Sequence, residues 1–476
     1  MKGHKVNEEE AVEMVRSVSF NSEEEVIRMI QKMAADHSRE VCTTITPDGT
    51  TALHVTAKRY RPQILQLMLE LDVDINARNN NGMTALHTSL IHSNPTASKM
   101  LIESGADVNE LLSKRSGSRL LHKVVLMDRI EATKLLLEKG ALVNIKDKWG
   151  RTPLHLSLLR NNSAMINLLL EKGSDINSVD ENGQSPLHLS LIYKSCDTAK
   201  LLISKGCDVT LKDKTSLSPL HMTVDMGNMD LTKMILRRST ANTNSKEKVM
   251  GRTPLHLACL KNYSHIARIL VDHGADVNLS TTFRKSPLHI TARNGSTETA
   301  QVLLRHNANV NALTTNNRTP LHEAISAQSF NIATLLVQAG ANINFRDLNG
   351  LTPLHYCVKT SNEKFMMLLL QNGALINSTD NKQQTCLHHA AIDNNIMMCT
   401  FLINAHINMN VPDEENHTAK YYGTSTELQN LLSKPPPTKE VSNGILWSRW
   451  KSMMESCHYQ ATTLALNKGP QSFKVM

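Results

Sequence analysis

The side chains best suited to chemistry in this sequence are its histidines. Histidine is a common metal ligand and the usual acid–base group near neutral pH, and the chain of 476 residues contains 21 of them. Eleven, here called the motif histidines, follow a leucine at intervals of 33 or 35 residues. They are His54, His87, His122, His155, His188, His221, His256, His289, His322, His355 and His388. At such intervals each is expected to face its own loop, about 10 Å from the next, so no two can share a metal ion.

No other residue pattern supports catalysis. His322-Glu323 lacks the second histidine of a zinc-protease helix, and His388 and His389 point to different helix faces. The eight cysteines form no Cys-x-x-Cys pair, so they predict neither a disulfide framework nor a zinc site. The sequence also lacks a phosphate-binding glycine loop, a dinucleotide-binding glycine motif and a serine-nucleophile elbow. We therefore expect a non-catalytic protein without cofactor or metal.

The residues around each motif histidine predict the start of a helix. Ser or Thr stands three residues before the histidine in ten of the eleven cases, and Pro comes next in seven. This is the pattern of a helix N-cap followed by a proline in the first turn. The histidine then occupies the third helical position, from which its ring can bond back to the cap. A second helix with paired leucines follows, as in KLLLEKG from Lys134, and ends at glycine.

These units form one internal repeat. RTPLH from Arg151 and LTPLH from Leu351 are typical of its start; glycine stands eighteen residues after the histidine in seven repeats and asparagine twenty-two after it in nine. The pattern resembles the ankyrin repeat over about residues 46–432. That resemblance implies an all-α solenoid of helix pairs, with a β-hairpin finger in each 33-residue repeat. One unit cannot bury its apolar face alone, so neighbouring units must stack.

The repeat pattern divides the chain into four predicted parts. Residues 1–47 read as a helical cap or divergent repeat, with helices at Glu8–Val18 and Ser22–Ala34, and residues 48–433 as the array with a degenerate C-terminal cap. A proline-containing linker follows at 434–445, and a helix and tail at 446–476. Repeat three is the poorest match, since Arg119 replaces the capping Thr. Insertions before Leu120 and from Ala241 lengthen two fingers. They are either the result of neutral drift or an adaptation that lets these fingers reach over a ligand.

Composition and targeting signals bear on location. The N-terminus has no apolar signal region, and no window of about 18 apolar residues is present. We expect a monomeric protein of the cytoplasm or nucleus with reduced cysteines.

In proteins that this chain resembles, partners bind the concave face made of finger tips and first helices. The corresponding positions, here called the groove positions, lie seven, six and four residues before each motif histidine and four and five after it. They hold fourteen basic and four acidic residues. The predicted partner-binding residues among them are Lys58, Arg59, Arg115, Lys148, Trp149, Arg151, Arg160, Tyr193, Lys214, Met226, Met250, Arg252, Lys261, Phe283, Lys285, Arg293 and Arg318. Groove positions also hold Lys359, Lys382, Met83, Met127 and Leu351.

Exposed aromatic and methionine side chains beside arginine are typical of protein-binding hot spots. We therefore expect the groove positions, above all from Lys148 to Lys285, to bind an acidic, partly apolar segment of a protein partner. Two simpler alternatives stay open. The basic face can serve solubility alone, or it can follow a nucleic-acid backbone with bases stacked on Trp149, Tyr193 and Phe283.

The segment beyond the linker carries an apolar stripe of Leu446, Trp450, Met453 and Met454 at helical spacing. This helix either folds back on the last repeat or recruits a second partner. Some ankyrin proteins end in a box that recruits a ubiquitin-ligase scaffold, although this tail lacks its Leu-x-x-x-Cys pattern. The repeat asparagines also resemble sites of asparaginyl hydroxylation, although a structural role explains them fully; examples are Asn109, Asn177 and Asn278.

Overall fold

The structure is a computed structural model that describes residues 16–18, 22–35, 48–71, 73–113, 115–238 and 241–434. The chain divides into two compact units, one up to Asn242 and one from Thr243. The division falls inside the second insertion. The predicted N-terminal helix at Glu8–Val18 lies outside the described residues except for 16–18, which are helical. The predicted tail at 446–476 lies wholly outside them.

The first unit is a stack of helix pairs. Its helices are α1 Glu23–Ala35, α2 Ala52–Lys58, α3 Pro62–Glu70, α4 Ala85–Ile91, α5 Pro95–Glu103, α6 Leu120–Leu126, α7 Ile130–Glu138, α8 Pro153–Ser157, α9 Ser163–Glu171, α10 Pro186–Ile192, α11 Cys196–Ser204, α12 Pro219–Asp225 and α13 Met229–Leu236. A short 3₁₀ turn at Leu158–Arg160 extends α8. The predicted helix Ser22–Ala34 is confirmed as α1, with the Ser22 hydroxyl accepting the Glu25 N–H at 3.4 Å.

The second unit repeats the same arrangement. Its helices are α14 Pro254–Leu260, α15 Ser264–Asp272, α16 Pro287–Asn294, α17 Thr297–Arg305, α18 Pro320–Ser326, α19 Phe330–Gln338, α20 Pro353–Lys359, α21 Glu363–Gln371, α22 Cys386–Ile392, α23 Ile396–Asn404 and α24 Thr426–Ser433. A 3₁₀ turn at Ala419–Tyr422 stands where the degenerate last repeat should begin its first helix. None of the helices in the described ranges has the length and apolar character needed to span a membrane.

Capping explains why the first helix of each pair begins where it does. In all eleven repeats the Nδ1 atom of the motif histidine accepts the backbone N–H of the residue three positions earlier, at 2.8–3.3 Å. The predicted cap is thus confirmed. Even in repeat three, where Arg119 offers no capping hydroxyl, its N–H reaches His122 at 3.1 Å.

The core lies between the helices of neighbouring repeats. The leucine before each motif histidine is buried, as are leucines of the second helices such as Leu136, Leu169 and Leu202. Burying one such side chain contributes about 1.5–3 kcal/mol. This energy exists only when a neighbouring repeat covers the leucine, which is why the units stack.

The connecting fingers are tight turns. Asp147 accepts the N–H groups of Trp149 and Arg151 on one carboxylate oxygen, both at 2.9 Å, and so closes its finger. Within the described ranges the only strand-type pairings are isolated bridges between Leu111 and Arg119 and between Thr379 and Thr385. The predicted β-hairpin fingers are therefore hairpin-like turns without extended strands.

The repeat asparagines link successive repeats. The Asn109 Oδ1 accepts the Leu142 N–H at 2.8 Å, and its Nδ2 donates to the Gly140 carbonyl at 3.2 Å. Asn177 and Asn278 accept the corresponding N–H groups of their next repeats at 2.7 Å. This bonding gives the asparagines the structural role that the sequence suggested.

Candidate partner-binding groove positions

The motif histidines reach further than their own loops, which corrects the sequence-based expectation. Because Nδ1 accepts the cap N–H, the ring proton resides on Nε2. In nine repeats Nε2 lies 2.7–3.3 Å from the backbone carbonyl of the residue twenty-nine positions later. For eight of these histidines, that residue stands four positions before the next motif histidine and is therefore a groove position; for His388 it is His417, in the degenerate last repeat. The eight histidines thus hold the groove backbone of the next repeat.

Burial keeps these rings neutral. It lowers the pKa of the second-unit histidines His256, His289, His322 and His355 to about 4. A neutral imidazole with one N–H suits a ring that accepts at one nitrogen and donates at the other. No group of three or more His, Cys, Asp or Glu side chains able to hold a metal occurs in the part of the chain that the structure describes.

His87 makes no such bond. The first insertion displaces the carbonyl that its Nε2 would meet, and this buried nitrogen has no hydrogen-bond partner. Its Nδ1 atom lies 3.8 Å from the buried Glu110 carboxylate, which pairs with Arg78 at 2.6 Å. Burial raises the pKa of Glu110 and lowers that of His87 to about 3. The link between repeats two and three therefore lacks the bond that His54 and eight later histidines make.

Backbone bonds also join the finger tips, where several groove positions lie. In the first unit the Glu181 N–H donates to the Trp149 carbonyl at 2.9 Å. In the second unit the Thr282 N–H donates to the Met250 carbonyl at 2.9 Å. The backbone at the finger tips is therefore fixed by the neighbouring finger before a partner binds. This reduces the conformational entropy that is lost on binding.

Trp149 is the main aromatic group at the groove positions of the first unit. Its side chain is 42% exposed, and the Lys148 ammonium and the Arg151 guanidinium lie 4.6 and 4.5 Å from the ring centroid. Arg151 also pairs with the buried carboxylate of Asp147 at 2.8 Å. Arg151 is thus held in place, whereas Lys148 and the Trp149 ring face solvent.

The other predicted residues of the first unit are spread along it. Tyr193 is exposed, and Met226, Met83 and Met127 are half-buried. The remaining basic residues are exposed: Lys58, Arg59, Arg115, Arg160 and Lys214. The described part of the first unit thus presents these residues as a basic surface along its length.

The second unit gathers its predicted residues more closely. A cleft of about 480 Å³ is lined by Met250, Arg252, Leu260, Phe283, Lys285, Ile290, Arg293, Arg318 and Glu323, among others. Six of the predicted partner-binding residues meet in this cleft, which is here called the Phe283 cleft. Lys261 is exposed next to Leu260, and Lys359 and Lys382 are exposed in later repeats.

Sequence reasoning was wrong about one apolar groove position and missed several that are exposed, of which Val249 and Leu348 are the most exposed. Leu351 is only 4% exposed. It stands at the base of its finger, where its carbonyl accepts the His322 Nε2 proton at 3.3 Å and the chain is covered. Conversely, Val249 and Leu348 are 72% and 60% exposed at finger tips. Both stand seven residues before a motif histidine, so the repeat frame would have found them.

The chain matches a family model described as ankyrin repeats (three copies) at residues 15–111, 121–213, 206–281, 276–347 and 340–413. It is 35% identical over 80 residues to the B-cell lymphoma 3 protein homolog of Mus musculus, which is 16% of this chain and 18% of that protein. It is 36% identical over 72 residues to the BTB/POZ domain and ankyrin repeat-containing protein NPR1 of Malus hupehensis, 15% of this chain and 12% of that protein. The chain thus spans less than a fifth of these relatives.

A similar solved structure is the crystal structure of the ankyrin repeat domain of Bcl-3, a member of the IkappaB protein family. The match includes 46% of this chain and the whole of the Bcl-3 domain, at 22% sequence identity and a TM-score of 0.44.

Proposed function

Because the chain belongs to the ankyrin-repeat family, whose repeats generally mediate protein–protein interaction, we propose that it is a scaffold or adaptor that binds an acidic, partly apolar segment of a protein partner at its groove positions. The observation that carries the proposal is that exposed aromatic side chains stand beside cations on finger tips and first helices. Trp149 between Lys148 and Arg151 is one example, and Phe283 near Lys285 is another.

Charge and exposure together support a protein partner. Cations alone would suit any anionic surface, whereas large apolar groups in contact with water favour a partner that buries them. Aromatic and arginine side chains are the ones that most often contribute a large share of the binding energy at protein interfaces. The basic surface also raises the association rate of an acidic segment through electrostatic steering. Recruitment of a second partner or a ligase scaffold by the tail stays a prediction, because residues 446–476 lie outside the described residues.

The proposal is tested by binding of the full chain to fluorescein-labelled acidic peptides that contain one Phe, measured by fluorescence anisotropy. A groove variant removes two positive charges from each unit: Lys148→Gln, Lys214→Gln, Lys285→Gln and Arg293→Gln. A matched control removes the same charge from exposed positions of the second helices and their ends: Lys172→Gln, Lys205→Gln, Arg268→Gln and Arg305→Gln.

The groove variant should bind about tenfold more weakly, since each exposed ion pair contributes about 0.2–1 kcal/mol and four such charges are removed. The control should bind like the wild type. Equal losses in both variants would show attraction to net charge alone and refute the proposal. Binding of oligothymidylate with a steep salt dependence, and no binding of peptides, would establish the nucleic-acid alternative instead.

A further inference from the structure

We infer that the Phe283 cleft of the second unit binds a carboxylate side chain of the partner segment next to a large apolar one, and that this cleft contributes most of the binding energy. This inference rests on the proposed function and goes further, since it assigns one cleft, one unit and one pair of partner side chains.

The cleft has an apolar wall. Phe283 is 52% exposed and Leu260 is also exposed, while Ile290 and Met250 are half-buried. These side chains come from two fingers and two first helices, so they form a concave surface and not a single protruding group. A leucine or phenylalanine side chain placed there would be removed from water, which favours binding.

Four cations line the same cleft: Arg252, Lys285, Arg293 and Arg318. The only acidic lining residue is Glu323, whose side chain is nearly fully buried. Its carboxylate lies 3.6 Å from Arg318 Nη1 and 4.0 Å from Arg293 Nη1. Glu323 balances about one of these positive charges, and Glu247 interacts electrostatically with Arg252, which leaves about two. The cleft therefore has excess positive charge that an acidic side chain would neutralise.

Arg318 is held within the protein. Its Nη2 donates to the Ser326 hydroxyl at 2.6 Å, and its guanidinium lies 4.9 Å from the Tyr356 ring centroid. Together with the Glu323 pair, these contacts fix Arg318 at the end of the cleft. Arg293, by contrast, is an exposed side chain whose nearest carboxylate is at the limit of an ion pair. Arg293 and the half-buried Lys285 are therefore the groups positioned to receive a new carboxylate.

The backbone beneath these cations is preorganised. The Lys285 carbonyl accepts the His256 Nε2 proton at 3.1 Å, and the Arg318 carbonyl accepts that of His289 at 2.9 Å. The Thr315 N–H donates to the Phe283 carbonyl at 3.2 Å. Because these bonds form without a ligand, binding orders little additional backbone. Less of the interaction energy is therefore offset by lost conformational entropy.

A peptide of another protein fits this combination better than the chain's own tail. Residues 434–476 contain six basic and only two acidic residues, so like charge disfavours their entry. Of the apolar wall only Phe283 offers a ring on which a nucleic-acid base could stack, whereas in an extended peptide an apolar side chain and a carboxylate follow each other within a few ångströms.

The test measures anisotropy of the full chain with fluorescein-labelled decapeptides of Asp and Glu that carry a single Phe at successive positions. The cleft variant Lys285→Gln/Arg293→Gln is compared with Lys148→Gln/Lys214→Gln, which removes equal charge at groove positions of the first unit. The cleft variant should bind the best peptide about tenfold more weakly, which lies within what two ion pairs contribute, and the first-unit variant should bind within about twofold of the wild type. Replacing Phe by Ala in the peptide should also weaken binding about tenfold.

The outcomes separate this inference from the proposed function. If the first-unit variant loses binding and the cleft variant does not, the cleft assignment is wrong while groove binding stands. If no acidic peptide binds the wild type, both fail. Equal binding of peptides with Asn and Gln in place of Asp and Glu would overturn the carboxylate assignment. Phe283→Ala, which changes an exposed side chain, is the second variant and should lose affinity without a change in melting temperature.

Discussion

Replacing His188 by alanine, beside the same change at His87, tests the ring nitrogen that reaches the next repeat. Both side chains are fully buried in the first unit. In both, Nδ1 accepts the cap N–H, from Ser185 at 3.3 Å and from Thr84 at 2.8 Å. They differ at Nε2, which lies 3.2 Å from the Leu217 carbonyl in His188 and has no partner in His87.

The structure sets the size of the expected difference. Both substitutions remove a capping bond, about 1 kcal/mol, and leave a cavity of similar size, so these losses largely cancel. His188→Ala also removes the Nε2 bond, about 0.5–1.5 kcal/mol, and leaves the Leu217 carbonyl unpaired. His87→Ala instead removes a buried donor that had no partner. We expect His188→Ala to be about 1–3 kcal/mol more destabilising than His87→Ala.

The assay is urea unfolding at pH 7 followed by circular dichroism, combined with native-state hydrogen exchange of peptides from the first unit. Exchange is needed because stacked repeats can unfold in parts, so that a single transition does not describe both units. Equal losses of stability, or a larger loss for His87→Ala, would refute the idea that the Nε2 bond holds neighbouring repeats together.

Three further predictions concern acid, glycine and Trp149. The second-unit histidines with a folded pKa of about 4 have an unfolded value near 6.5, so as the pH falls the unfolded chain gains protons first. Stability should drop between pH 6.5 and 4 by up to about 1.4 kcal/mol per pH unit for each ring; equal urea midpoints at pH 7 and pH 5 would contradict this. Gly350→Ala should cost about 2–4 kcal/mol and Gly373→Ala about 1 kcal/mol in urea unfolding. Both glycines have positive φ, but only at Gly350 would a Cβ lie 2.7 Å from the Asn381 nitrogen, and equal costs would exclude that clash. Trp149→Ala should reduce stability by only about 1 kcal/mol, because its cation–π contacts are at the surface; a much lower melting temperature would make the ring part of the core.

The motif histidines connect architecture to the proposed binding. The same ring begins its own helix through Nδ1 and holds a groove residue of the next repeat through Nε2, as His256 does for Lys285 and His289 for Arg318. The same histidine side chains therefore stabilise the stacking of repeats and fix the backbone of the groove residues. A loss of stacking at one junction should weaken binding at the next repeat.

Local features were predictable because they depend on short-range spacing. A Ser or Thr cap, a first-turn Pro and a histidine at the third helical position lie within four residues, so the helix starts and the Nδ1 bond follow from sequence. The asparagine at the end of each repeat was likewise recognised as structural. The concentration of cations at groove positions also follows from counting along the repeat.

The sequence by itself determined the helix pairs, their caps, the repeat period and the family, because each depends on neighbours a few residues apart. Only the tertiary structure decided which nitrogen bonds across repeats, why His87 lacks that bond, that Leu351 is covered while Val249 and Leu348 are exposed, and that six predicted residues meet at the Phe283 cleft. Burial and ion pairing depend on atoms that an adjacent repeat brings near, about thirty residues away in the chain. Spacing within one repeat does not contain that information.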